Sequence, residues 1–133
     1  MRLVSDTNAV IELLHENEAV VNFIENIVQP QDRIAICSIV YYEVMRGFQI
    51  SKAVRRMRQF QMLYDSMLPL PLDEYAIRQS IDIYDQLHKG NTIEDNDIYI
   101  AAIAMVNGCT LVTANTKHFG RIDGLRTINW QGR

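Results

Sequence analysis

Four oxygen-bearing side chains, far apart in this chain, stand where a parallel α/β sheet gathers its ligands. Asp6 follows the apolar run Arg2-Leu3-Val4, and Glu43 lies just over one turn into a helix that follows a second apolar run, Arg33–Cys37. Asp97 closes the acid cluster Glu94-Asp95-Asn96-Asp97 that opens an apolar helix, and Asn115 follows the run Cys109–Thr113 through Ala114. In open α/β sheets the ligand crevice lies outside the carboxyl ends of the strands, where the following helices begin. Three carboxylates crowded on that edge would repel, and at least one would hold its proton unless a cation neutralised them. Oxygen donors without paired His or Cys suit Mg²⁺ or Mn²⁺ better than zinc. Asp6, Glu43 and Asp97 are therefore candidate metal ligands, and Asn115 or Thr7 could orient a phosphate or a water by hydrogen bonding. A carboxylate-held ion of this kind is apparatus for phosphodiester hydrolysis.

Each residue also has a plainer explanation. Asp6 can cap the first helix, and Glu43 can be a solvated helix acid. Asp95 and Asp97 suit the positive end of a helix dipole, which makes Asp95 a helix-start acid before it is an accessory ligand. Asn115 is an ordinary turn residue. His118 could touch substrate, and a surface turn is its plainer role. His15 and His88 read as helix-end residues.

The elements that must position these side chains alternate along the chain. Leu3-Val4 is a strand, Val10, Ile11 and Leu14 recur at helix spacing, and a second helix follows Asn17. Arg33–Cys37 is a strand, with Ser38 as the N-cap of a helix that weakens at Gly47. Ser51 is assigned as the cap of a helix from Lys52 to Tyr64. Its Met57, Phe60 and Tyr64 form an apolar stripe, a core feature or a groove for a partner helix. Lys52, Arg55, Arg56 and Arg58 form a basic face, either solvated or tracking a nucleic-acid backbone. Arg46, three residues after Glu43, could pair with it, meet phosphate or meet a partner. The prolines of Met67–Pro71 suggest an edge strand. Asp73 caps a helix to about His88, broken at Lys89-Gly90-Asn91. The acid-opened helix ends at Asn107-Gly108, Cys109–Thr113 reads as a strand buried on both faces, and a short strand lies near Arg126-Thr127-Ile128. Strands separated by helices imply right-handed crossovers and a three-layer α/β/α sandwich with a mostly parallel central sheet, a single domain over residues 1–133.

With 133 residues, of which 48% are hydrophobic, the chain can bury a substantial core. A net charge of −3 supplies no global basic field, which leaves room for local patches and bound cations. Cys37 and Cys109 sit in apolar runs and read as reduced, buried thiols of a cytoplasmic protein. The N-terminus has no apolar signal region, and the run from Ile98 to Val106 is far short of a membrane span. A glycine-rich phosphate loop is missing after the first strand, and Asn8 stands where a phosphatase of the Asp-x-Asp type needs its second Asp.

Five short segments, in order, resemble the PIN-domain family, and within it the VapC-type toxin ribonucleases of type II toxin–antitoxin pairs. Asp6-Thr7-Asn8 looks like the family's opening Asp-Thr-Asn, and Tyr42 to Gly47 is similar to its Glu-x-x-x-Gly helix. Asp97-Ile98-Tyr99-Ile100-Ala101-Ala102 resembles its Asp-x-x-Ile-Ala-Ala signature. Gly108 to Asn115 with Phe119 resembles Gly-x-x-Leu-Val-Thr-x-Asn and its following Phe, and Gly124 to Trp130 looks like the closing strand. The resemblance implies a PIN-like fold and a metal-dependent endoribonuclease with Asp6, Glu43 and Asp97 as acidic ligands. It also implies an RNA substrate and a homodimer held by a small antitoxin. The chain departs from the pattern at Asn115, where many members carry Asp, at His118, where toxin members often carry Asp, and at Glu94, commonly Gly. A catalytically weak or inactive binding module of the same fold is the alternative.

Overall fold

A computed structural model describes residues 1–90 and 93–132. Its centre is β1 (Arg2–Ser5), flanked by β2 (Arg33–Cys37) and β4 (Thr110–Val112), with β3 (Leu68–Leu70) and β5 (Thr127–Ile128) at the edges. The order is β3-β2-β1-β4-β5, and every pairing is parallel. The chain runs outward from β1 through β2 to β3, then returns to the other side of β1 for β4 and β5. The direction of winding therefore reverses between β1 and β4, and a crevice opens at such a switch point.

Side chains alternate across the sheet because successive residues of a strand face opposite ways. Leu3 packs with Ala9, Val20, Phe23, Val112 and Trp130 under α1 (Thr7–Leu14) and α2 (Glu18–Asn26). Its neighbour Val4 belongs to the larger core, with Ile36, Val40, Val44, Phe60, Ile103 and Leu111. That core is covered by α3 (Ser38–Ile50), α4 (Val54–Asp65), α5 (Glu74–Leu87) and α6 (Asp95–Val106). The three-layer expectation thus holds, with the sheet wholly parallel. In α6, Ile98 and the residues from Ile100 to Ala104 are all buried, as suits a helix apolar nearly all round. No helix among the described residues is long and apolar enough to cross a membrane.

Three helix ends differ from the sequence reading. Ser38 is the first residue of α3 and not its N-cap; its hydroxyl accepts from the Leu72 amide at 3.2 Å instead, while Cys37 holds the cap position without a side-chain bond. The helix does not weaken at Gly47 but continues to Ile50. Ser51 then ends it, donating its hydroxyl to the Gly47 and Phe48 carbonyls, rather than starting the next helix. A serine can cap either end of a helix, and sequence pattern alone does not choose. The turn expected after Thr113 contains a short helix, α7 (Thr116–Phe119). By contrast Asp73 caps α5 through the Ala76 amide at 2.9 Å, as expected. The break assigned to Lys89-Gly90-Asn91 reaches Asn91, which lies outside the described residues.

Of the Met57-Phe60-Tyr64 stripe, Phe60 is fully buried, and its ring lies 5.7 Å from that of Tyr41, which in turn lies 4.5 Å from Tyr64. Phe60 and Tyr64 of the stripe are thus part of the core, and Met57 is half-buried beside them on α4. Phe60→Ala should lower unfolding stability by about 3–5 kcal/mol, measured by urea denaturation, because the ring is fully buried and its removal leaves a cavity.

Candidate active site

The site is built outward from the β1–β4 pairing. Ser5 is in register with Val112, and the Asp6 amide continues the ladder to the Val112 carbonyl at 3.1 Å. One residue beyond β4 comes Thr113, which is fully buried, and its hydroxyl falls beside the Asp6 carboxylate. Thr113 Oγ1 donates to Asp6 Oδ2 at 2.5 Å, and the Ala9 amide donates to Asp6 Oδ1 at 2.9 Å. The capping role and the crevice position expected of Asp6 are therefore compatible: one oxygen starts α1 and the other meets β4.

Glu43 and Asp97 are held in a similar way. Thr7 Oγ1 donates to Glu43 Oε1 at 2.7 Å, which ties the first residue of α1 to α3. His118 Nε2 lies 3.1 Å from Asp97 Oδ2, which ties α7 to the first turn of α6. Asp6 feels the charges of both Asp97 and Glu43, and Asp97 feels that of Glu43. The fold thus brings these three acids of the sequence reading into one electrostatic neighbourhood.

Asn115 does not join them in this way. It is exposed, occupies the N-cap of α7 without a side-chain capping bond, and donates its backbone amide to Thr113 Oγ1 at 2.9 Å. The side chain from this segment that meets the acids is His118, not the surface turn residue its neighbours suggested. Thr113 and His118 were missed as partners of the acids. Thr113 had a signal in strand register, since its position beyond β4 matches Asp6 beyond β1; the His118 contact depends on how α7 folds back over α6.

Asp95 is exposed at the start of α6. Arg46 places its guanidinium 4.9 Å from the centre of the Tyr42 ring. Arg56 donates to the Leu14 carbonyl at 3.1 Å, so part of the basic face closes the end of α1. Lys52, Arg55 and Arg58 are exposed.

The PIN domain family model matches residues 3–125. This chain belongs to the PIN domain family. Its relatives include a protein named Ribonuclease VapC2 from Haemophilus influenzae, 28% identical over 134 residues, covering 98% of each chain. Another, named Ribonuclease VapC2 from Rickettsia felis, is 30% identical over 131 residues, covering 94% of this chain and 95% of the relative. Among solved structures, a chain of VapBC2 from Rickettsia felis bound to a promoter DNA fragment superposes with a TM-score of 0.88 at 26% identity, covering 98% of this chain and 99% of that one.

Burial raises the pKa of Asp6 in this PIN domain, and the charges of Asp97 and Glu43 push it further up against the lowering hydrogen bonds from Thr113 and Ala9. Asp97 is also raised, by burial first and then by Glu43 and Glu94, with His118 pulling the other way. Among the described residues no three His, Cys, Asp or Glu side chains stand closely enough together to enclose an ion. Each acid is turned toward its hydrogen-bond donor, as expected of like charges that avoid one another.

A raised folded pKa means that folding takes up a proton, so stability from this group falls as pH rises through the raised value. With divalent ions removed by EDTA, Asp6→Asn should melt above wild type at neutral pH. The gap should close as pH falls through the carboxylate range. Thermal unfolding across a pH series measures both effects, and an Asp6→Asn variant no more stable than wild type at neutral pH would refute them.

Proposed function

We propose that this PIN domain, spanning the whole chain, is a Mg²⁺- or Mn²⁺-dependent endoribonuclease, the toxin of a type II toxin–antitoxin pair. The observation that carries the reading is the shared neighbourhood of Asp6, Glu43 and Asp97 at the switch point of the sheet, in a chain whose relatives are named Ribonuclease VapC. The donor set fits a hard divalent cation. It consists of carboxylate oxygens that feel one another's charge, and both free thiols, Cys37 and Cys109, are buried in the larger core.

Asp6, Glu43 and Asp97 would hold the ion. When bound, it supplies Lewis acidity toward a phosphodiester and a water nucleophile at neutral pH. The chain's own part is orientation. Thr113 and the Ala9 amide fix the Asp6 carboxylate, so that it need not reorganise when charge develops nearby. Thr7 occupies Oε1 of Glu43 and leaves Oε2 facing away from that bond. Asn115, exposed beside this edge, is free to hydrogen-bond a phosphate or a water in the crevice.

The partner reading rests on likeness to VapBC assemblies, and it comprises a small antitoxin and a second copy of this chain. Self-association is supported by α5, where Ile77 (38%), Ile81 (63%) and Tyr84 (53%) recur at helix spacing on one exposed flank, an apolar stripe of the kind that marks interaction sites. The free buried cysteines suit a cytoplasmic setting, where thiols stay reduced.

Asp6→Asn should reduce divalent-dependent cleavage of RNA by at least about a hundredfold while circular dichroism stays unchanged, a loss of the size seen when one charge-stabilising group is removed from an active site. Full activity in EDTA, or undiminished cleavage by that variant, sinks the mechanism. An inactive binding module of the same fold would instead bind no divalent ion by calorimetry. Ile81→Arg should shift the chain from dimer toward monomer in sedimentation, without loss of fold; an unchanged species would remove α5 from the interface.

A further inference from the structure

We propose that His118 is a positioning residue for the metal centre: its Nε2–H holds Oδ2 of Asp97 and so directs the other oxygen, Oδ1, toward a bound cation. This rests on the reading of Asp6, Glu43 and Asp97 as metal ligands. An ionised carboxylate has no proton to give, so in the charged site Nε2 must carry the hydrogen of the 3.1 Å contact. Among the described residues this is the one ion-pair geometry involving any of the three acids, with the imidazole 26% and the carboxylate 31% exposed.

The ring is placed for this role by its own surroundings. The backbone amides of His118 and Phe119 both donate to the Asn115 carbonyl at 3.1 Å, which fixes the turn of α7. Phe119 is buried, and its ring meets the imidazole edge to face, with centroids 5.3 Å apart and planes at 89°. The donor is thus anchored to the core through the next residue. Asp97 needs such an anchor, since it sits in the first turn of α6, where Glu94 supplies no side-chain cap. Asp6 has two donors fixing its carboxylate and Glu43 has Thr7. His118 completes the set, so that each of the three acids is oriented by a donor from another part of the chain. An acid at position 118 would add a fourth like charge; the imidazole adds a donor. Partners that orient metal ligands in this way typically change affinity by roughly 10–100-fold when removed.

The test uses Mn²⁺ with the full chain, at a fixed pH above the histidine range. Calorimetry should show His118→Ala binding Mn²⁺ at least roughly tenfold more weakly than wild type. His118→Gln, which keeps an N–H at a similar reach, should recover most of the affinity, and both variants should melt close to wild type. Electron spin-echo spectroscopy of the Mn²⁺ complex should show no directly ligating nitrogen. Unchanged affinity in His118→Ala, or no rescue by Gln, overturns the positioning role, and a ligating nitrogen lost in His118→Ala overturns it in favour of direct coordination. Failure of wild type itself to bind Mn²⁺ overturns the metal reading and this one with it, whereas the other outcomes leave that reading standing.

Discussion

Burial of charge at Asp6 and Asp97, sharpened by repulsion between these two and Glu43, is the constraint around which this edge of the molecule is arranged. Two of the three have raised pKa values, with burial as the largest cause and the neighbouring acids adding to it. Uncompensated, such groups would take up protons or move into solvent. The chain prevents the second outcome with hydrogen-bond donors: Thr113 and the Ala9 amide on Asp6, Thr7 on Glu43, His118 on Asp97. Hydroxyl and amide donors satisfy oxygen lone pairs without cancelling the charge. A lysine or arginine in the same place would neutralise the site and compete with any cation. The hydroxyl and amide donors on Asp6 and Glu43 orient those acids and leave their field intact.

The sheet determines why the donors are available at this edge. A parallel strand must be followed by a crossover, so each strand ends beside the start of a helix with unpaired amides. Asp6 uses that geometry twice, capping α1 and facing Thr113 across the β1–β4 pair. Any slip in the register between Ser5 and Val112 would turn Thr113 away from Asp6, because side chains alternate along the strand. The same slip would exchange Leu3 and Val4 between the two cores, so apolar packing on both faces of the sheet holds the polar contact in place. The helix α6 completes the arrangement by burying nearly its whole circumference from Ile98 onward, which fixes the body of the helix behind Asp97.

These dependencies explain what could be read from the sequence. Strand positions, the parallel architecture and the Asp73 cap depend on periodicity and local hydrogen bonding, and they are legible in a single chain. The acids were legible as candidates because each lies at an element end. The ends of α3 were not, since the Ser38 hydroxyl is claimed by Leu72, 34 residues away, and the Ser51 hydroxyl turns back into the helix before it. Neither contact leaves a local trace. His118 is a similar case: its partner lies 21 residues earlier, on another helix, and nothing in Thr-Lys-His-Phe points toward it. Asn115 fitted the spacing of a fourth site residue, yet its side chain is exposed and the four-residue helix it begins carries the imidazole inward instead.

Positive charge is distributed to match. The chain carries a net charge of −3, so an anionic substrate meets no general attraction and must be drawn by local features. Two arginines near the crevice segments are already engaged, Arg46 over Tyr42 and Arg56 on the Leu14 carbonyl. Lys52, Arg55 and Arg58 remain exposed on and just before α4, the helix that follows the one bearing Glu43. With three carboxylates at the sheet edge, a polyanion approaching alone would be repelled, and on the reading proposed above a divalent cation would cancel most of that charge locally while leaving the distant surface unchanged. On that reading the acids would make recognition of a phosphate backbone conditional on the cation, so that binding and chemistry would both require it.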